Sequence, residues 1–207
     1  MPDNVTMEKE INRIAIGSVD IYIQEFSGSS MEDIPEDSAI EIEDNLIGRT
    51  KDGGEISYTM NYFTAKSDDG KASRSDLTED SAYISFGVIT WNGNTVVKLI
   101  ETAESNVESG KRRTLIGGVS NVNGKTYLVR AVHKDKIKGD VKYTLIGKNV
   151  SGFAASYKPG TPSTITPRID AKPFDNGRLI IMDEFNVDTT EPETTTTEPE
   201  EEGGEQA

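Results

Sequence analysis

Ala82-Tyr83-Ile84-Ser85-Phe86-Gly87-Val88 runs through Ile89-Thr90-Trp91-Asn92-Gly93-Asn94 into Thr95-Val96-Val97-Lys98-Leu99-Ile100-Glu101-Thr102-Ala103, and the hydrophobic period changes along the way. In the first part Ala82, Ile84, Phe86 and Val88 alternate with Tyr83, Ser85 and Gly87 at period 2, the pattern of a half-buried strand. Trp91-Asn92-Gly93-Asn94 interrupts that pattern with turn residues. Beyond the break Val96, Leu99, Ile100 and Ala103 fall at i, i+3, i+4 and i+7. The spacing predicts a short helix from Asn94 to about Thr102 with one apolar stripe, leaving Lys98, Glu101 and Glu104 off it. Asn94 or Thr95 is placed to cap the helix, because a short side-chain oxygen there accepts a hydrogen bond from an otherwise unpaired helical N–H.

Outward from this segment the chain reads as strands. Val19, Ile21 and Ile23, preceded by Ile14 and Ile16, predict a strand region with a kink or bulge at Gly17-Ser18. Ile56, Tyr58, Met60 and Tyr62 alternate with Ser57, Thr59 and Asn61, a two-faced strand, and residues 67–80 read as a polar loop. Thr114-Leu115-Ile116 and Tyr127-Leu128-Val129 flank the turn signal Asn123-Gly124, and Val141, Tyr143 and Leu145 alternate with Lys142 and Thr144, so these units read as a meander. Residues 153–157, 165–171 and 179–182 supply further strands. Pro167 and Pro173 cannot donate to a ladder, which places their strand at an edge or beside a bulge. Residues 27–54 are acidic, with weak alternation at Ile40, Ile42 and Leu46, and read as a long loop.

A chain of 207 residues supports one substantial core, and no second composition block needs its own. The expected division is an N-terminal arm over 1–10, a β-domain over 11–187 and a disordered Thr/Glu/Pro-rich tail over 188–207, which has too little apolar surface to offset its ordering entropy. Hydrophobic residues make up 34% and aromatics 7%, which suits short strands and surfaces completed by neighbours. Zero cysteines exclude disulfides, thiolate chemistry and cysteine-based zinc sites. No apolar run of about 18 residues is present to span a membrane, and Met1-Pro2-Asp3-Asn4 opens unlike a signal peptide, so cytoplasmic synthesis without membrane insertion is expected.

The net charge is −14, and residues 188–207 contribute −8 of it, which leaves −6 on residues 1–187. An acidic body argues against tight nucleic-acid binding, which gathers Lys and Arg against phosphates, but suits a conduit that must not hold the polymer it conducts. His133 is the single histidine, with no cysteine or second histidine beside it, and reads as a surface or interface residue rather than a general base. Glu36-Asp37, Glu41, Glu43-Asp44 and Asp68-Asp69 invite a calcium or glycosidase reading, but the alternate spacing of a calcium loop is missing and solvated loop charge is the expectation. Lys111-Arg112-Arg113 with Arg130, Lys134, Lys136 and Lys138 lacks the interleaved aromatics of a single-strand binding groove. Pairing with acidic loops of a neighbouring subunit accounts for it better. No catalytic, metal or cofactor site emerges, and an enzyme is not expected.

The strand ending Phe86-Gly87-Val88-Ile89-Thr90-Trp91, the small helix after it and the basic run Gly110-Lys111-Arg112-Arg113-Thr114-Leu115 together resemble the tail tube proteins, or major tail proteins, of long-tailed bacteriophages and phage-tail-like particles. Val129-Arg130-Ala131-Val132-His133-Lys134, the closing strands around 164–174 and 178–185, and the loop-like stretch 44–56 extend the resemblance over residues 11–185. It implies a sandwich- or barrel-like β-fold with one flanking α-helix. It also implies homohexameric rings in which sheets join edge to edge as a closed barrel lumen, stacked into a tube that conducts viral DNA during genome ejection. Tape measure and tube-end proteins would be partners, double-stranded DNA would pass without specific binding, and the location would be the virion, with assembly in the host cytoplasm. On this resemblance Glu55, Ser57, Thr59, Asn61, Asp140 and Thr144 are expected to face the lumen, with Lys142 departing from an acidic wall. Glu41, Glu43, Asp44, Arg49 and Lys51 are expected in a ring-to-ring loop that orders on assembly. The competing expectation is a surface-displayed β-sandwich binding glycan or protein, with the tail as spacer, against which stand the low aromatic content and the absent signal peptide.

Overall fold

The computed structural model describes residues 17–136 and 139–185. The expected arm over 1–10, Ile14 and Ile16, and the expected tail over 188–207 lie outside the described residues.

The fold is mainly β. Seven strands form one antiparallel sheet in the order β1 (Asp20–Glu25), β6 (Tyr127–His133), β7 (Val141–Asn149), β8 (Arg168–Ala171), β3 (Ser73–Val88) and β2 (Thr50–Lys66), with β9 (Ile181–Glu184) pairing the same edge of β7 as β8 does. The sheet is open, ending at β1 and β2, and does not close into a barrel within the subunit. It is nevertheless curled. Ile21 and Ile23 of β1, at one end, share a single apolar cluster with Ile84 and Phe86 of β3. The chain entering β2 also touches β1 through the bridge Tyr22 to Leu46 and a 2.8 Å hydrogen bond from Thr50 Oγ1 to the Val19 carbonyl.

Each face of the sheet carries its own core. On the inner face Ile84, Phe86, Val88, Val129, Ala131, Leu145 and Ile169 pack with Leu99 from the helix, and Trp91 and Phe153 seal the side with ring centroids 6.5 Å apart. On the outer face Tyr22, Leu128, Val132 and Ile146 are covered by a flap over residues 28–46, whose Ile40 is fully buried, and by Phe174. The flap holds one helical turn, α1 (Asp37–Ile40), between 3-10 turns at Met31–Asp33 and Glu43–Asn45. It is therefore folded onto its own subunit rather than extended away from it. Asn45 Nδ2 secures it with hydrogen bonds to the Ala39 and Ile40 carbonyls and to Gln24 Oε1.

The helix predicted from 94–102 is α2 (Gly93–Leu99), shorter than its apolar stripe, because Ala103 already opens the next strand. Its cap is Asn92, whose side chain accepts from the Asn94 and Thr95 amides, while Thr95 Oγ1 accepts from the Asn92 amide. Val96 and Leu99 are buried as the stripe requires.

Three elements differ from the sequence expectation. Residues 67–80 are not a loop: only the turn at 67–72 separates β2 from β3, which are 17 and 16 residues long. The meander is split, because β5 (Lys111–Ile116) pairs with β4 (Ala103–Glu108) in a separate two-stranded sheet and not with β6. Residues 153–157 form no strand. Pro167 and Pro173 lie just outside β8, which is an interior strand of only four residues, so the missing N–H groups never enter the ladder. Where β8 meets β7 the backbones approach closely enough that a Cβ on Gly147 would overlap the Asp170 carbonyl oxygen.

Candidate assembly site

The β2–β3 hairpin outgrows the core. Ile84, Phe86 and Val88 are buried, but every residue from 58 to 81 is exposed, so the hairpin projects as an arm with two bare faces. One face prolongs the inner core: Ile56 and Ile84 are followed by Tyr58 opposite Ala82, Met60 opposite Asp80, and Tyr62 opposite Leu77. That last pairing depends on a bulge. Asn61 pairs with Glu79 and Tyr62 with Leu77, so Thr78 is an extra residue that switches the parity of β3 and brings Leu77 onto the apolar face. Tyr58, Met60, Tyr62 and Leu77 remain 49–57% exposed. Among the described residues β2 has no strand along its other edge.

The opposite face of the arm is polar as far as Asn61 and Glu79, and toward the tip it carries Phe63, 62% exposed opposite Asp76. Glu55, Ser57, Thr59 and Asn61 share it with Ser85, Tyr83, Ser81 and Glu79 across the ladder. At its base the Tyr83 hydroxyl donates to Glu55 Oε1 at 2.6 Å, and the Arg168 guanidinium lies 4.0 Å from the Tyr83 ring centroid while its Nε donates to Asp170 Oδ1 at 2.8 Å. The two residues expected beside them in β7 are placed differently. Asp140 is half-buried at the turn into β7, where its Oδ1 accepts from the Asp135 amide at 3.0 Å. Thr144 is 1% exposed on the sheet face that α1 covers, so it cannot line a lumen.

Beneath the flap lies an ionic cluster not visible in the sequence. Arg130 and Lys142 project from neighbouring strands, and their side chains are only 5% and 8% exposed. Lys142 Nζ donates to Asp37 Oδ2 and Glu41 Oε1, each at 2.5 Å. Arg130 Nη1 donates to Asp37 Oδ1 and lies 3.5 Å from Glu41 Oε1. Burial acts to raise the Asp37 carboxyl, but the hydrogen bonds from Lys142 and Arg130 outweigh it and hold the group below its usual range. Burial acts to lower the Lys142 ammonium, and the hydrogen bonds to Asp37 and Glu41 hold it above the ordinary lysine value instead. Asp37 and Glu41 are thus structural counter-ions, not solvated loop charge.

Of the expected ring-to-ring residues, Glu41 is therefore engaged within its own subunit. Glu43 and Asp44 are exposed, and the Asp44 carbonyl accepts from Lys98 Nζ at 2.5 Å. Arg49 is exposed and its amide donates a 2.7 Å hydrogen bond to Thr90 Oγ1; Lys51 is half-buried in β2. The expected basic patch is also divided: Arg130 turns inward, Lys134 pairs with Asp20 at 3.0 Å, and Lys111, Arg112 and Arg113 stay on the separate hairpin. His133 is nearly enclosed, with Nδ1 3.3 Å from the Ser18 carbonyl oxygen, and is not a surface residue. Among the described residues no group of three or more His, Asp or Glu is arranged to hold a metal ion.

No family model matches the chain, and no curated protein matches it. Among solved structures the chain is similar to one described as the virion of a native gene transfer agent (GTA) particle, with a TM-score of 0.37 and 9% identity over 79% of this chain and 95% of that one.

Proposed function

We propose that this chain is a non-enzymatic structural subunit that closes into hexameric rings, stacked as the tube of a phage-type tail through which viral DNA passes during genome ejection. The observation that carries the reading is the arm. A two-stranded hairpin is marginal in water, and an arm that continues the apolar core face past the core, with an unpaired strand edge beside it, gains stability from partners. Adding copies edge to edge in a heterologous contact covers both features, and ring closure removes the free edge. In such a ring the polar face carrying Glu55, Ser57, Thr59 and Asn61, joined by Glu79 and Ser81, is the face offered to the lumen. The acidic body then repels the passing duplex rather than holding it. Tape measure and tube-end proteins would terminate the stack, with assembly in the host cytoplasm and residence in the virion.

Size-exclusion chromatography with light scattering, followed by negative-stain imaging, tests the reading. Rings or tubes are expected from the full chain, and their loss when residues 59–80 are replaced by a short turn. A stable monomer at every concentration, with affinity for a glycan or another protein, would favour the surface-displayed binding domain instead.

A further inference from the structure

The β4–β5 hairpin and the flap are complementary, and neither satisfies the other within one subunit. In the hairpin Ala103, Ser105 and Val107 pair with Ile116, Thr114 and Arg112 on the side that begins buried at Ala103. The outward side therefore carries Lys111, Arg113 and Leu115, opposite Glu108, Asn106 and Glu104. Lys111 and Arg113 are exposed, neither has an ion pair among the described residues, and Leu115 is 61% exposed between them and the body. On the flap, residues 31–44 hold seven acidic side chains and no basic one. Two of those, Asp37 and Glu41, are used inside on Arg130 and Lys142. Glu32, Asp33, Glu36, Glu43 and Asp44 stay on the outside, with Met31 38% and Ile42 43% exposed among them.

We propose that the outward face of the β4–β5 hairpin docks on the flap of a second copy of this chain, Lys111 and Arg113 against Glu36 and Glu43, with Leu115 against Ile42. The proposal rests on the tube-subunit reading and names the contact by which copies join. The occupant is a second copy because both halves are present on the same chain: the β5 row of the hairpin face carries Lys111 and Arg113, with Glu104 and Glu108 confined to the β4 row, and the charged groups on the flap's outer side are carboxylates alone. Such a pairing of two different surfaces is heterologous, the type that propagates into rings or stacks rather than stopping at a two-fold dimer. The buried cluster supplies a reason for the flap to be firm: Arg130 and Lys142 hold α1 from below through Asp37 and Glu41, while Glu36 and Glu43 stay exposed to face the partner. Charge of this kind selects partner and register more than it adds affinity, so the contact should weaken with salt.

Charge exchange in the full chain tests it. Lys111→Glu with Arg113→Glu, and separately Glu36→Lys with Glu43→Lys, should each raise the protein concentration needed for assembly by about tenfold or more at low ionic strength. Circular dichroism melting should match the parent, since all four side chains are exposed. Combining both pairs of substitutions in one chain, or mixing the two variants, should restore assembly. If reversal leaves assembly unchanged, or exchange does not restore it, the docking is wrong while the tube reading stands. A parent chain that remains monomeric at every concentration would overturn both.

Discussion

Replacing Asp37 by Asn and Glu41 by Gln together preserves the shape of both side chains and removes the negative charge in front of two buried cations. Arg130 and Lys142 are 5% and 8% exposed, so water cannot replace what they lose, and Arg130 Nε already has no hydrogen-bond partner among the described residues. Breaking a buried pair from one side costs roughly 3–5 kcal/mol, but Asp37 is 45% exposed and Glu41 20%, so solvent screening lowers the expected loss to about 2–4 kcal/mol. For a domain of this size that corresponds to a fall in Tm of about 5–15 °C. Lys142→Met should cost less than the double variant, because the carboxylates it leaves behind reach water whereas the cations do not. Thermal and urea unfolding followed by fluorescence of Trp91, the single tryptophan, measures each. A double variant melting within about 1 °C of the parent, or a Lys142→Met variant worse than the double, would refute the reasoning.

The same cluster sets a pH dependence on both sides. Asp37 is depressed below 3.8, so its contribution is complete above that value and is lost as pH falls through the folded pKa; Lys142 is raised above 10.5, so its contribution is complete below that value and is lost as pH rises through its folded pKa. Urea midpoints of the parent should fall at both extremes, with a shallower acid limb in the double variant, and parallel profiles would contradict this. Leu99→Ala removes a side chain 3% exposed in the inner core and should lower stability by about 2–5 kcal/mol in urea unfolding, with no change meaning that α2 does not pack as described. Asn92→Ala removes the acceptor for two helical amides at a cost of about 1 kcal/mol by the same measurement. Leu77→Ser on the arm should leave Tm nearly unchanged but weaken association by about 1.5–3 kcal/mol, roughly ten- to a hundredfold in the assembly concentration seen by light scattering.

What the sequence revealed follows from which residues are half-buried. Ala82, Ile84, Phe86 and Val88 alternate because one side of β3 meets the core there, and the stripe on α2 is equally legible because one side of it does. Where β3 leaves the core both faces meet water, and selection for burial no longer writes a period into residues 73–81. The bulge at Thr78 then shifts Leu77 out of phase with Ala82, so the one apolar residue that could have announced the strand counts against it. β4 escapes notice for the same reason, with Glu104, Asn106, Val107 and Glu108 all exposed. The ionic cluster is hidden differently, since Arg130 and Asp37 are 93 positions apart and only the pairing of β6 with β7 sets Arg130 near Lys142 under α1. A carboxylate facing solvent and one holding a buried lysine look alike in composition. Exposure on both sides of a long hairpin is itself the informative feature, because Tyr58, Met60, Tyr62 and Leu77 stand in line along a face their own core does not reach, and on the tube reading proposed above that line is what a neighbouring copy would cover.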